Sequence, residues 1–446
     1  MKESNAKDNS EVLAEPFAEI GPKMHLLLYT GQLLMENGAD SDRTVRDMMR
    51  AAAFMGIPKE RIHQHVMYTT LMLNINDGKH SYTEFRKCVT HGVNMTTLSA
   101  ISKLTWRAIA KNYSLQDYEH QLDNIRNRAK NYPVWLTAFG AGAACGGFCK
   151  LFGGSWLDFL LTAVCAMLGF LIRRICAGYG INTYAVIAIT SFATTMLAWS
   201  TQFLTGSLNW YPLIACTLFL VPGIPLINAV DDLLNNFIVS GMTRATHTLL
   251  VVGSMTFGIV TAIRLGGVTD FTSVSLTPDN IYLSQAAAAA IASAGFSIIF
   301  NVPKRLLLVV AAGGIITVML RNFTVLELGW SQAAGSFLGA AVVGVLALRA
   351  IHWFHTPNII MTIPSAIPMI PGVLLYRLLF ALLNIQFITT EALIDGIRSG
   401  VAAVIIIISI AVGVAIPNIF ISRYIQRSKI ENEKRLLAQR HAELDD

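Results

Sequence analysis

Charge is scarce over most of this chain. Only 14% of its 446 residues are Asp, Glu, Lys or Arg, against about 25% in ordinary soluble domains. The shortage is local: residues 133–422 hold 11 basic and 8 acidic residues, whereas residues 1–132 hold 17 and 15. So few charges cannot clothe a water-exposed globule of that length. With 53% apolar residues, the chain is also neither disordered nor collagen-like. Cysteine is sparse too. Cys88, Cys145, Cys149, Cys165, Cys176 and Cys216 include no CxxC pair, and five lie in or beside apolar segments. Cys145 and Cys149 share a helix face without a histidine, so packed, reduced thiols are expected rather than a metal site. No GxSxG, HExxH or P-loop occurs. No cofactor or metal is therefore expected, and no nucleic-acid partner. The first 23 residues are polar or broken by Pro16 and Pro22. They read as a disordered tail rather than a secretory signal.

What is present falls into two parts. Residues 24–132 read as a small cytoplasmic α+β domain. An apolar helix over 24–37 stops at Asn37-Gly38, and Asp40 or Ser41 caps a second helix. Residues 62–76 alternate like a strand, Asp77-Gly78 reads as a hairpin turn, and helices follow over 94–111 and 115–130. His63, His65, Asp77, His80, Ser81, Arg86, His91 and Asn94 form at most a loose set of polar residues without a nucleophile motif.

From Pro133 onward, ten segments are long and apolar enough to span a bilayer. They lie near 133–150, 155–172, 182–204, 211–230, 245–265, 281–300, 305–320, 331–349, 357–383 and 400–422. The basic tail over 423–446 and the basic N-terminal domain place both ends inside, which an even number of spans requires. Landmarks recur at a constant offset. Arg173-Arg174 and Arg321-Asn322 end two spans 148 residues apart, and Pro222-Gly223 and Pro371-Gly372 interrupt two others 149 residues apart. The expected fold is thus an α-helical polytopic membrane protein. Its ten transmembrane helices form two inverted five-helix repeats, 133–265 and 281–422, joined by a loop over 266–280.

Proline removes a helix donor and clashes with the preceding turn. The runs around Pro222 and Pro371 should therefore open two spans in matching positions, the best sequence pointer to a transporter's binding site. Pro222, Gly223, Asn228, Pro371, Gly372 and Arg377 are the expected substrate-binding residues, facing a shared polar cavity. Asp158, Asp231 and Asp232 are the candidate proton-coupling carboxylates, because desolvation penalises the charged form. Thr190, Ser191, Thr194 and Thr195 either line a polar path or bond carbonyls one turn back. The alanine run after Gln285 reads as close helix packing.

The runs GQLLMENGADSDRTVRDMM (31–49), NINDGKHSYTEFRKCVTHGVNM (74–95) and FLVPGIPLINAVDDLL (219–234) resemble the threonine/serine exporter family of bacteria and some fungi. IPSAIPMIPGVLLYRLLFALL (363–383) resembles the family's smaller partner module, here fused to the larger one. The resemblance implies export of threonine and serine across the inner membrane, driven by the proton motive force or membrane potential. Expected partners are the small-molecule substrate, protons and membrane lipid, and a homo-oligomer stays open. Export of a dicarboxylate such as succinate is the alternative, with Arg377 as its cation. A membrane-tethered hydrolase built on residues 24–132 and a passive channel are further alternatives.

Overall fold

The computed structural model describes residues 4–76, 78–206, 208, 210–267, 282–354, 356–386 and 388–416. Asp77, most of the 266–280 loop and the 423–446 tail lie outside the described residues. The chain separates into two compact units.

The first unit comprises residues up to Ala129 together with Asp232–Thr243. Its helices are α1 (Ser4–Glu36), α2 (Ser41–Phe54), α3 (Met95–Ala110) and α4 (Leu115–Arg126). The sheet is antiparallel, β1 (Ile62–Val66), β2 (Thr70–Asn76) and β3 (Ser81–Lys87), in that order. The tail expected to be disordered over 1–23 is helical from Ser4, continuous with α1. Its Glu, Ala and Leu residues are strong helix formers despite two prolines. The β-rich run 62–76 is two strands, not one, because residues 67–69 turn the chain and Met67 N bonds Thr70 O at 3.0 Å. Leu71, Leu73 and Ile75 point to the core, where α1 packs on β2 and β3. The cap expected at Asp40 forms, its side chain accepting from Arg43 N on α2, and Asn94 caps α3 in the same way by accepting from Thr97 N.

Cys88 is 2% exposed, and burial, with Glu36 adding to it, pushes its thiol up to about 12 from 9.0. The folded state thus keeps the proton while the unfolded chain ionises. This group's contribution to stability falls as pH rises from about 9 towards 12. Native protein at pH 8 is expected to leave Cys88 unalkylated by iodoacetamide, and denatured protein to be alkylated fully. Mass spectrometry of the Cys88 peptide checks this.

The second unit carries the apolar helices. They are α5 (Val134–Leu151), α6 (Trp156–Gly178), α7 (Thr183–Ser200) with the short α8 (Gln202–Thr205), α9 (Trp210–Ala215), and α10 (Gly223–Leu234) and α11 (Ile238–Leu265) apart from their residues 232–243, which belong to the first unit. After the undescribed loop come α12 (Tyr282–Ile299), α13 (Leu307–Leu326), α14 (Gln332–Phe354), α15 (Ile359–Ala366), α16 (Gly372–Leu383) and α17 (Thr390–Ile416). Among the described residues, eight helices are long and apolar enough to cross a membrane, or up to ten if each bent pair counts as one span. The bent pairs break at Pro222 and Pro371, with angles of 58° and 55°.

The centre of this unit is a close crossing of α5 and α12. A Cβ on Gly147 would lie 2.8 Å from Ala288 O and 2.9 Å from the Ala292 Cβ. Gly295 meets Gly140 and Ala144 in the same way. Each residue of the first set has its counterpart 148 positions away in the second. The alanine run beginning at Ala286 therefore packs backbone against backbone, as small residues permit. Thr190, Ser191, Thr194 and Thr195 are all fully buried. Thr194 Oγ1 donates to Thr190 O at 2.7 Å, and Ser191 Oγ to Ala188 O at 3.0 Å. Those two hydroxyls bond carbonyls a turn back.

Candidate translocation site

The two proline breaks share one backbone design. A 3-10 turn at Leu218–Leu220 ends with Val221 N bonding Leu218 O at 3.1 Å; the turn at Ile367–Met369 ends with Ile370 N bonding Ile367 O at 2.9 Å. Gly223 N then bonds Val221 O at 2.8 Å, and Gly372 N bonds Ile370 O at 2.9 Å. These bonds close a three-residue turn around each proline, and Pro371 has the matching φ −83 and ψ 57. Below each turn a fresh helix starts at the glycine.

Breaking a helix in an apolar bundle frees polar groups that must find partners. Thr317 Oγ1 donates to Ser365 O at 2.8 Å across helices. On the first break, the Cys145 side chain faces the backbone amides of Leu218 and Phe219.

The breaks abut. A Cβ on Gly223 would sit 2.7 Å from Ile370 Cδ1 and 3.3 Å from Ile367 Cδ1. One on Gly372 would sit 3.0 Å from Leu218 Cδ2 and 3.2 Å from Val221 Cγ2. The contact is reciprocal, because Leu218 and Val221 stand 149 positions before Ile367 and Ile370. Phe148 and Phe296, 148 positions apart, complete the lining, their rings edge to face at 5.9 Å. The cavity between them, partly open, is about 10 Å3, room for one water at most. The expectation of a polar cavity is corrected here: the lining is apolar. From the turns before the two prolines, Leu218, Val221, Ile367 and Ile370 supply its aliphatic part.

Of the expected site residues, Gly223 and Gly372 line this constriction directly, and Pro222 and Pro371 make the turns that shape it. Asn228 is buried on α10, and Arg377 is partly buried on α16. Neither lines the cavity. Arg377 has Asp395 nearby. The phenylalanine pair was not anticipated, although its 148-residue offset is the one that the arginine landmarks share.

The carboxylates do separate jobs. Asp158 accepts from Ser155 N and Ser155 Oγ, both at 2.8 Å, and its own N bonds Ser155 Oγ at 3.1 Å. That is a capping box at the start of α6. Asp232 is 1% exposed and belongs to the first unit. Its Oδ1 accepts from Ser41 N at 2.8 Å and its Oδ2 from Ser240 Oγ at 3.0 Å, while the Ser41 and Ser240 hydroxyls lie 2.7 Å apart. Asp232 thus serves the N-terminus of α2, where an anion is favourable. Burial holds the neighbouring Asp42 carboxyl above its usual range; Arg46 opposes this, and Asp40 and Asp232 add to it.

The polar residues of the first unit do not assemble. His63 and His65 share the exposed face of β1. His91 stacks on Tyr68 at 3.9 Å, Arg86 Nε donates to Gln32 Oε1 at 2.7 Å, and Asn94 caps α3. His80 lies beside Tyr82, and the Ser81 hydroxyl receives Asn74 Nδ2 at 2.7 Å. Asp77 lies outside the described residues.

Paired broken helices within a bundle of apolar helices define a multi-pass membrane protein of transporter type. The family model described as "Putative threonine/serine exporter" matches residues 25–266, and that described as "Threonine/Serine exporter, ThrE" matches 285–420. The chain belongs to the threonine/serine exporter family, with both modules in one polypeptide. It is 28% identical over 250 residues to the Probable succinate transporter subunit YjjP of Escherichia coli, covering 54% of this chain and 94% of that protein. It is 26% identical to the protein of that name in Klebsiella aerogenes, over 52% of this chain and 90% of that one. A Probable threonine/serine exporter of Mycobacterium tuberculosis is 22% identical over 67% of this chain and 58% of its own length. No solved structure matches the chain significantly.

Proposed function

We propose that this chain is a secondary transporter that exports small hydroxy amino acids, threonine and serine, across the bacterial inner membrane in exchange for protons. The observation that carries this reading is the reciprocal contact of two matched helix breaks in a chain that the exporter models match in both halves. In this reading each bent pair is one span, giving ten. Because each half then has an odd number of spans, the second half runs inverted, with both termini cytoplasmic. The apolar constriction is the point about which the halves rock, and a closed constriction is what keeps protons from leaking. Pro222, Gly223, Pro371 and Gly372 shape the constriction that the substrate passes, and Asn228 on α10 offers it an amide side chain.

Exchange of substrate for substrate in proteoliposomes carrying the full chain tests the reading. Radiolabelled threonine should enter against internal threonine or serine, and an imposed pH gradient should drive accumulation. No counterflow with either amino acid sinks it. The names of the E. coli and Klebsiella relatives support succinate as the second reading. Counterflow by succinate that threonine does not inhibit would select that one. Accumulation that never exceeds equilibrium under a gradient would select a channel. Cysteine labelling from each side of the membrane checks the inverted topology: sites introduced at Gly180 and Gly329, in corresponding loops of the halves, should label from opposite sides.

The coupling carboxylate of this reading is Asp231, since Asp158 and Asp232 each serve a helix N-terminus. Asp231→Asn should lower gradient-driven export roughly tenfold, the loss of about 1.4 kcal/mol of driving interaction, and leave exchange near wild type. Comparing both modes in the same vesicles checks it. Equal loss in both would remove Asp231 from coupling.

A further inference from the structure

Arg321 stands in the next-to-last turn of α13, within an apolar helix, and carries no carboxylate partner among the described residues. Its Nε and one Nη reach Asn322 Oδ1 at 3.2 and 3.1 Å. Asn322, 2% exposed, passes its own amide to Gln285 Oε1 at 3.3 Å, and Gln285, 1% exposed, donates to Leu151 O at 3.4 Å. The chain of amides joins α13, α12 and α5. It holds the Asn322 oxygen as an acceptor and so orients the guanidinium by one edge. The other Nη group has no partner among the described residues.

A guanidinium carries five donors in a planar fork that matches a carboxylate. Placing such a cation inside a membrane bundle without an anion is costly. Here it is oriented by neutral amides rather than neutralised. Leu151 lies one helical turn, about 4.5 Å of rise, beyond Phe148 of the constriction. Arg173 holds the corresponding place on α6, 148 positions earlier, and it too has no side-chain partner among the described residues. Two arginines at matched places in the halves, neither neutralised, are what a carrier needs to meet the same anionic group on each side of a closed constriction.

We infer that Arg321, oriented by Asn322 and Gln285, binds the substrate's carboxylate on one side of the constriction, and that Arg173 does so on the other. This rests on the transport reading above, but it concerns binding and can be tested without transport. The thermal unfolding of the purified full chain is measured with L-threonine, with succinate, and with threoninol, the amino alcohol that lacks the carboxylate. Wild type should be stabilised by at least one of the two carboxylates and much less by threoninol. Arg321→Gln should weaken the carboxylate effect about tenfold or more and leave the threoninol effect unchanged. Arg321→Lys, which keeps the charge but not the fork, should fall between and guards against a variant that fails to fold.

In vesicles of known orientation, Arg321→Gln should raise KM from one side and Arg173→Gln from the other. A merely structural role would shift both sides together. The inference is overturned if neither carboxylate stabilises wild type, if Arg321→Gln binds carboxylates as wild type does, or if both variants move KM equally on both sides. Carboxylate binding lost in Arg321→Gln, in a wild type that moves no substrate, would uphold this inference and sink the transport reading alone.

Discussion

Gly223→Val is expected to reduce threonine export by roughly ten- to a hundredfold while the protein still folds. The added Cβ alone would lie 2.7 Å from Ile370 Cδ1 in the opposite break, and valine adds two further methyl groups. Overpacking of this kind costs about 1–3 kcal/mol. Charged against one of two conformations, that shifts their ratio by about one to two orders of magnitude. The reciprocal variant, Gly372→Val, should behave alike, because its Cβ would meet Leu218 Cδ2 at 3.0 Å. Rescue should cross between the halves: Ile370→Ala restores Gly223→Val, and Leu218→Ala restores Gly372→Val. Initial export rates at matched protein levels decide it. Wild-type rates in both glycine variants would mean that the breaks are static kinks, and rescue that fails in both pairs would mean that the contact is not the cause.

The second large effect is on stability. Asp232→Ala should destabilise the first unit by about 3 kcal/mol or more. Two hydrogen bonds to an ionised group contribute about 1.5–3 kcal/mol each, less what relaxation recovers. The substitution removes the acceptor of Ser41 N at 2.8 Å and of Ser240 Oγ at 3.0 Å. Asp232→Asn keeps one acceptor oxygen and should lose about 1 kcal/mol. Ser41→Ala leaves the backbone N–H in place and should also lose about 1 kcal/mol. Chemical unfolding gives the energies, and hydrogen exchange at the first turn of α2 gives the location, since opening there exposes the Ser41 amide. Normal protection at Ser41 in Asp232→Ala would refute the clamp. Asp232→Asn that keeps stability but loses gradient-driven export alone would transfer the coupling role from Asp231 to Asp232.

A few pairs of residues, 148 or 149 positions apart, recur in and beside the constriction. Phe148 with Phe296, Leu218 with Ile367, Val221 with Ile370, and Gly223 with Gly372 bring corresponding residues of the two halves to one constriction. Arg173 and Arg321 extend the series. Under the inverted-repeat reading proposed above, a contact made by one residue of a pair is repeated by the other, so a single substitution there acts on one copy only. Double variants across the halves are the informative ones.

The sequence by itself determined what depends on neighbours along the chain. The spans are legible because hydrocarbon demands an apolar run of set length. The two helix breaks are legible because proline lacks a donor wherever it stands, and the cap at Asp40 because it bonds the next turn. The constant offset was legible at Pro222 and Pro371 and at Arg173 and Arg321.

Tertiary structure alone decided the rest. No local pattern ties Asp232 to Ser41, 191 positions away, so only folding shows that this aspartate accepts from the first turn of a helix distant in the chain. The lining of the constriction depends on which faces of the broken helices turn towards each other, and hydropathy treats every face of a uniformly apolar helix alike. Arg321 looked like a helix-end landmark; only folding brings Gln285 to the neighbouring Asn322, which then holds the guanidinium without neutralising it. The energy of an ion held in a bundle depends on what surrounds it, and those surroundings come from two neighbouring helices, α12 and α13, and from α5, whose Leu151 lies 134 positions before Gln285.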